Sequence, residues 1–194
     1  MKIHVSVLVI DEDASRATLL EQALIDQGYQ VLARIDSTDQ LAEHVEQLKP
    51  DMIIIDLESP DRDVLENMAL LNQHSPRPVV MFAEKGDQTT IEKAIRSGVS
   101  AYVVDGLEAH RIRAILDVAT ARFREFQTLK QELSDARSEL EDRKVVEKAK
   151  GLIMKHNNCS EDHAFKAMRK MAMDQQKPMY EIARNIISVL ELMS

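Results

Sequence analysis

Val5-Ser6-Val7-Leu8-Val9-Ile10, followed at once by Asp11-Glu12-Asp13, is the stretch that decides the fold. An apolar run broken only by Ser6 reads as a strand buried on both faces. Four similar runs follow: Tyr29 to Ile35, Met52 to Ile55, Val79 to Ala83 and Ala101 to Val104. Helix-length segments separate them: Ala14 to Gln27, Thr38 to Leu48, Val64 to His74, Thr89 to Ser97 and Leu107 onward. Short apolar strands alternating with helices predict a parallel sheet covered on both faces. Gly28 and Gly98 punctuate helix ends, Pro50 precedes a strand, and Pro76 and Pro78 flank a loop. Residues 1–122 are thus expected to form an α/β, flavodoxin-like doubly wound domain.

A chain of 194 residues has room for one ordinary domain and a smaller one. Its 44% hydrophobic content is that of a folded protein. No apolar run approaches the roughly 20 residues that span a bilayer. Met1-Lys2-Ile3-His4 leads directly into a strand pattern without a small-residue cleavage site, so no signal peptide is read and the expected location is cytoplasmic. The lone Cys159 excludes an internal disulfide and offers no metal cluster. The His residues are scattered without metal spacing, with His156 and His163 expected at the surface or a cap, and the Met residues fill helix faces.

The net charge of -8 conceals an asymmetry. Residues 1–122 carry 12 Lys/Arg against 21 Asp/Glu, whereas residues 143–194 carry 10 against 6. An acidic front and a basic tail imply two functions, and only the tail suits a polyanion.

Between them Ile112, Ile115, Ala119, Arg122, Phe126, Leu129, Leu133, Ala136, Leu140 and Arg143 alternate spacings of three and four. That is a heptad seam with polar exceptions at Arg122 and Arg143. It predicts a long helix, with residues 123–142 as a coiled-coil linker pairing two copies of the chain; a single amphipathic helix lying on its own first domain would give the same pattern.

The tail, residues 143–194, reads as three short helices. In the first, Val146, Ala149, Leu152 and Ile153 form an apolar stripe. Lys144, Lys148, Gly151 and Lys155 fall on another face: three cations in a row, with a glycine that permits close approach of a neighbouring backbone. Ser160 is the expected N-cap of the second helix, with Glu161 and Asp162 in its first turn and Ala164, Phe165, Met168, Met171 and Ala172 as its apolar face. Pro178 opens the third, whose apolar face is Ile182, Ala183, Ile186, Ile187 and Leu190. Lys166, Arg169 and Lys170 line the second helix, and Tyr180 and Arg184 are neighbours on the third. Tyr offers a flat surface for an unstacked base, and Arg stacks or grips phosphate. Looped RNA fits this set better than a duplex, whose deep major groove excludes side chains. Solvated Lys and Arg that bind nothing, or a protein-binding tail, would leave a similar pattern. A helix-turn-helix fits poorly, since no compact pair with a Gly turn is present.

Asp11, Glu12 and Asp13 follow the first strand and Asp56 the third, which places them at the carboxyl edge where doubly wound sheets bind ligands. Such carboxylates repel unless a cation neutralises them, and Mg2+ takes oxygen ligands of this kind. These residues resemble the receiver domain of response regulators. Val9-Ile10-Asp11-Glu12-Asp13 is similar to its acidic pair, and Pro50-Asp51-Met52-Ile53-Ile54-Ile55-Asp56 with Pro60 to its phosphoacceptor strand and loop. The resemblance implies phosphorylation at Asp56, with Glu12, Asp56 and the Glu58 carbonyl as metal ligands and Asp11 acting nearby through water. Two positions depart from it: Ala83 stands where a hydroxyl is usual and Asp105 where Lys is usual. Losing one charged hydrogen bond costs about 1.5–3 kcal/mol. The departures imply a degenerate receiver used for docking and dimerisation, with no cofactor required; working phosphorylation with Mg is the alternative.

Ala149-Lys150-Gly151-Leu152-Ile153-Met154, Ala164, Met168, Met171-Ala172 and Tyr180-Glu181-Ile182-Ala183 resemble the ANTAR domain. The order of receiver, coiled coil and ANTAR resembles the AmiR/NasT group, nearest its nitrate and nitrite assimilation members. That resemblance implies a transcription antiterminator that binds paired hexaloop hairpins in leader mRNA and is sequestered by an inducer-sensing, NasS-like partner. It also implies a protein that is not an enzyme. The implied RNA contacts are Lys144, Lys148, Lys150, Gly151, Lys155, Arg169, Lys170, Tyr180 and Arg184, with Lys150 resting on the resemblance alone.

Overall fold

The computed structural model describes residues 5–104 and 109–192. The Asp105 position and the expected helix start at Leu107 lie outside the described residues, as do Met1–His4 and the last two residues of the tail. The chain divides into two compact units, residues 1–127 and 128–194.

In the first unit five parallel strands, β1 (Ser6–Asp11), β2 (Gln30–Ile35), β3 (Met52–Leu57), β4 (Val79–Ala83) and β5 (Ala101–Val104), form a sheet of order β2-β1-β3-β4-β5. The helices are α1 (Ala14–Asp26), α2 (Leu41–Leu48), α3 (Arg62–His74) and α4 (Gln88–Arg96), with the start of α5 (Ile112–Asn157). The period-two alternation of each strand sorts its side chains between two cores. Leu8, Ile10, Ile53, Ile55 and Met81 meet Leu41 and Val45 of α2, Met68 and Leu71 of α3 and Ala94 of α4. Val7, Val9, Ile54, Val80 and Phe82 meet Leu20 and Leu24 of α1 and Ile112, Leu116 and Ala119 of α5. This is the flavodoxin-like doubly wound fold. The strand order reverses between β1 and β3, where Asp11 and Asp56 pair in register.

Capping sets the helix boundaries. Asp61 accepts from the Val64 amide, so α3 starts at Arg62 rather than Val64; Asp87 does the same for Thr90, starting α4 at Gln88. The expected helix at Thr38 begins instead at Leu41. Gln40 is left-handed with φ 56°, and Thr38 is buried, its hydroxyl accepting from Asn67 Nδ2 at 3.1 Å.

α5 runs without a break through Gly151, so the first helix of the tail is the end of α5. The heptad seam divides along it. Ile112 and Ala119 are buried, and Leu116 joins them in place of the expected Ile115, which is partly buried. Phe126, Leu129, Leu133 and Leu140 are each more than half exposed. In the second unit α6 (Glu161–Gln175) and α7 (Met179–Leu192) pack with the end of α5 around Ala149, Ile153, Ala164, Met168 and Ala183. Ser160 caps α6, accepting from the His163 amide at 3.3 Å. Pro178 precedes α7, its carbonyl accepting from the Glu181 amide. Phe165 was expected on the apolar face of α6 but is 40% exposed, because it lies one residue round the helix from the buried Ala164.

Candidate functional site

Two places collect chemistry, one in each unit. At the carboxyl edge of the sheet, Asp11 and Asp56 are both 3% exposed. Asp13 ends the strand-to-helix turn by capping α1, accepting from the amides of Ser15 at 2.8 Å and Arg16 at 3.0 Å. That cap places Arg16 in the first turn of α1, and its side chain reaches back over the edge. Arg16 donates to Asp11 through Nη2 at 2.9 Å and Nε at 3.2 Å. The same guanidinium lies 3.5 Å from Asp56 Oδ2 and 3.5 Å from Glu84 Oε1, and donates to the Asp56 carbonyl at 3.4 Å. Burial pushes the Asp56 carboxyl up to about 6; Arg16 counteracts this, while Asp11 and Glu84 add to it. Hydrogen bonding to Asp11 raises Arg16 above its ordinary value.

The other expected members of the pocket are not brought in. Glu12 is exposed. The Glu58 side chain turns to Lys85 Nζ at 2.8 Å, and its carbonyl accepts the Lys85 amide at 3.2 Å. Among the described residues no three His, Cys, Asp or Glu groups are disposed to hold a metal ion. With Arg16 in place, the donors do not make a magnesium site. Ala83 is buried at the end of β4, so no hydroxyl faces this edge from that position. Arg16 and Lys85 escaped the sequence reading. The one available signal for Arg16 was its place three residues after a capping Asp.

In the second unit, Lys144, Lys148, Gly151 and Lys155 all face solvent on α5. At about 100° per residue they fall within an arc of about 60°. Lys144 pairs with Glu141 at 3.0 Å, and Lys148 with Glu191 of α7 at 2.6 Å. Exposed pairs of this kind are weak and readily exchanged for another anion. A Cβ added at Gly151 meets nothing within 4 Å, so no neighbouring backbone among the described residues uses the gap that the glycine leaves.

Lys150 stands apart from this row, as its helical phase predicts. It lies about 130° round the helix from the lysine row and beside the apolar stripe. Its side chain is 10% exposed, and its ammonium is held by Glu147 at 2.7 Å and Glu161 at 2.8 Å. It ties α5 to α6 and does not belong to the solvent-facing row. On α6, Arg169 and Lys170 are exposed, and Lys166 pairs with Asp162 at 2.7 Å. On α7 the Tyr180 ring is half-buried, with the Arg184 guanidinium 5.6 Å from its centroid. That is within cation–π distance of the ring.

A family model for the response regulator receiver domain matches residues 7–117, over half of the chain, and the chain belongs to that family. An ANTAR domain model matches residues 134–187. The transcriptional regulatory protein PdtaR of Mycobacterium tuberculosis is 28% identical over 184 residues, 95% of this chain and 90% of that protein. A nitrate regulatory protein of Klebsiella oxytoca is 35% identical over 88 residues, 45% of this chain and 22% of the relative. Among solved structures, the receiver domain of a diguanylate cyclase from Desulfovibrio desulfuricans superposes with a TM-score of 0.54 at 22% identity, covering 61% of this chain and 95% of that one. That likeness concerns the fold alone. No described helix is long and apolar enough to cross a membrane.

Proposed function

We propose that this receiver-family chain with an ANTAR tail is a cytoplasmic, non-enzymatic transcription antiterminator that captures hairpin loops in leader mRNA. The observation that carries the reading is the exposed row of Lys144, Lys148 and Lys155 around the open notch at Gly151. A phosphate backbone can approach such a row closely, with Lys144 and Lys148 exchanging a surface carboxylate for a phosphate. Arg169, Lys170, Tyr180 and Arg184 extend the surface on the other two helices, with the aromatic–guanidinium pair as a platform for an unstacked base.

The working division is a receiver-like domain at 1–122, a coiled-coil linker at 123–142 and the RNA reader at 143–194. The exposed apolar seam from Phe126 to Leu140 supports a homodimer, one hairpin per protomer. The likeness to the nitrate regulatory protein and the resemblance to NasT support nitrate or nitrite assimilation genes as targets. In that reading an inducer-sensing, NasS-like partner holds the regulator inactive.

Affinity for a two-hairpin leader RNA, measured across a range of salt, tests the proposal. Steep weakening with salt, and a loss of affinity in Lys148→Ala plus Arg184→Ala, support it. Salt-insensitive binding, equal binding to duplex DNA or an unchanged double variant would favour a protein-binding tail.

A second reading keeps the RNA output and places a phosphorylation switch at Asp56. The in-register pair of Asp11 and Asp56 at the carboxyl edge favours it. A radiolabelled phosphodonor with Mg2+ distinguishes the two: stable label on wild type, absent from Asp56→Asn, supports the switch, and no label supports partner control.

A further inference from the structure

We infer that Arg16 is the built-in cation of the receiver pocket, standing where a divalent metal would otherwise balance Asp11 and Asp56, so that this receiver does not respond to Mg2+. Four observations converge on it.

Asp11 and Asp56 are neighbours on adjacent parallel strands, in register and closed to water. Two carboxylates so placed require a countercharge. Arg16 supplies it, with two nitrogens on Asp11 and contacts at 3.5 Å to both Asp56 and Glu84. One planar group with five donors thereby serves three carboxylates, which an ammonium could not do with the same geometry.

The position of Arg16 is also costly by itself. The first turn of a helix carries the positive end of the macrodipole and disfavours a cation. Here the Asp13 cap and the Asp11 fork fix the side chain despite that. The oxygen donors a metal would need are committed elsewhere: Glu58 to Lys85 through side chain and carbonyl, with Glu12 out in solvent. A divalent ion entering the pocket would have to expel a guanidinium already bound in two places.

The test is Mg2+ titration of the full chain after EDTA treatment, followed by calorimetry and thermal unfolding, for wild type, Arg16→Met and Arg16→Met with Asp11→Asn. Wild type should show the same Tm in EDTA and in Mg2+, with no binding heat. Arg16→Met should have a lower Tm in EDTA, regain about 4 °C or more at Mg2+ concentrations of about ten times its Kd, and lose that gain in the double variant. If Arg16→Met fails to fold without metal, rescue by Mg2+ supports the inference. If neither condition folds it, Arg16→Lys, which retains a cation, should fold and stay insensitive to Mg2+. Sub-millimolar Mg2+ binding by wild type overturns the inference whatever the variants do, as does a folded Arg16→Met that binds no more Mg2+ than wild type.

Discussion

The Lys150 ammonium sits 2.8 Å from Glu161 and 2.7 Å from Glu147, joining the end of α5 to the first turn of α6. Glu147 and then Glu161 hold the lysine above its usual range, and Lys150 holds Glu161 below its own. For the lysine, the stabilisation is complete below its ordinary value and is lost only as strongly alkaline pH passes the raised one. For Glu161 it is present above the ordinary carboxylate range and disappears as pH falls through the depressed value. Lys150→Met should therefore lower the Tm of the C-terminal unit at pH 7, and by less in acid as pH falls through the depressed Glu161 value. At a temperature where the variant remains folded, its RNA affinity should change far less than that of Lys148→Ala. Thermal unfolding at pH 7 and in acid, and an RNA titration, check both parts.

Gly151→Ala should separate stability from binding. Gly in a helix interior costs about 0.5–1 kcal/mol relative to Ala, and the added methyl meets nothing. The variant should unfold at higher temperature yet bind hairpin RNA more weakly, because the methyl stands where a phosphate backbone would come close. Undiminished affinity would remove Gly151 from the interface.

The buried seam of Asp56 has a pH consequence. Its carboxyl is raised to about 6, so the folded unit holds a proton that the unfolded chain releases from about pH 4 upward. The stability of the receiver unit should fall as pH rises from about 4 to about 6 and level off above, by an amount on the order of 3 kcal/mol. Asp56→Asn should flatten this profile and raise the Tm at pH 8. Urea unfolding at several pH values provides the measurement.

Leu129, Leu133 and Leu140 stand half-exposed on one seam of α5. Leu133→Glu should shift the protein toward monomer in sedimentation equilibrium, and the wild-type dimer fraction should rise with concentration. If wild type is monomeric at all concentrations, the coiled-coil proposal fails.

The sheet was legible because its apolar runs are short, continuous and bounded by turn residues. Every strand falls within two residues of its expected ends. The start of α2 was not legible, because it depends on a left-handed Gln40 and a buried Thr38 that no hydrophobic period records. The lysine row was read correctly as a face, since helical phase alone defines it. The same phase sets Lys150 off that row, beside Ala149 and Ile153, but its ion pair was not legible, because the partner that satisfies it lies on another helix. For Arg16 the one signal, its place after a capping Asp, is weak, because a position in a helix's first turn does not announce that the side chain will fold back across a sheet edge. Acidic residues in a sequence suggest a metal readily, whereas a cation supplied by the protein itself shows only when the strands and the helix are placed together.

A guanidinium keeps its charge at any pH a cell experiences. Unlike a bound ion, it cannot be chelated, diluted out or exchanged for a competitor. The electrical setting of this pocket is therefore inherited with the gene rather than drawn from the surrounding medium, and replacing one amino acid would return it to environmental control.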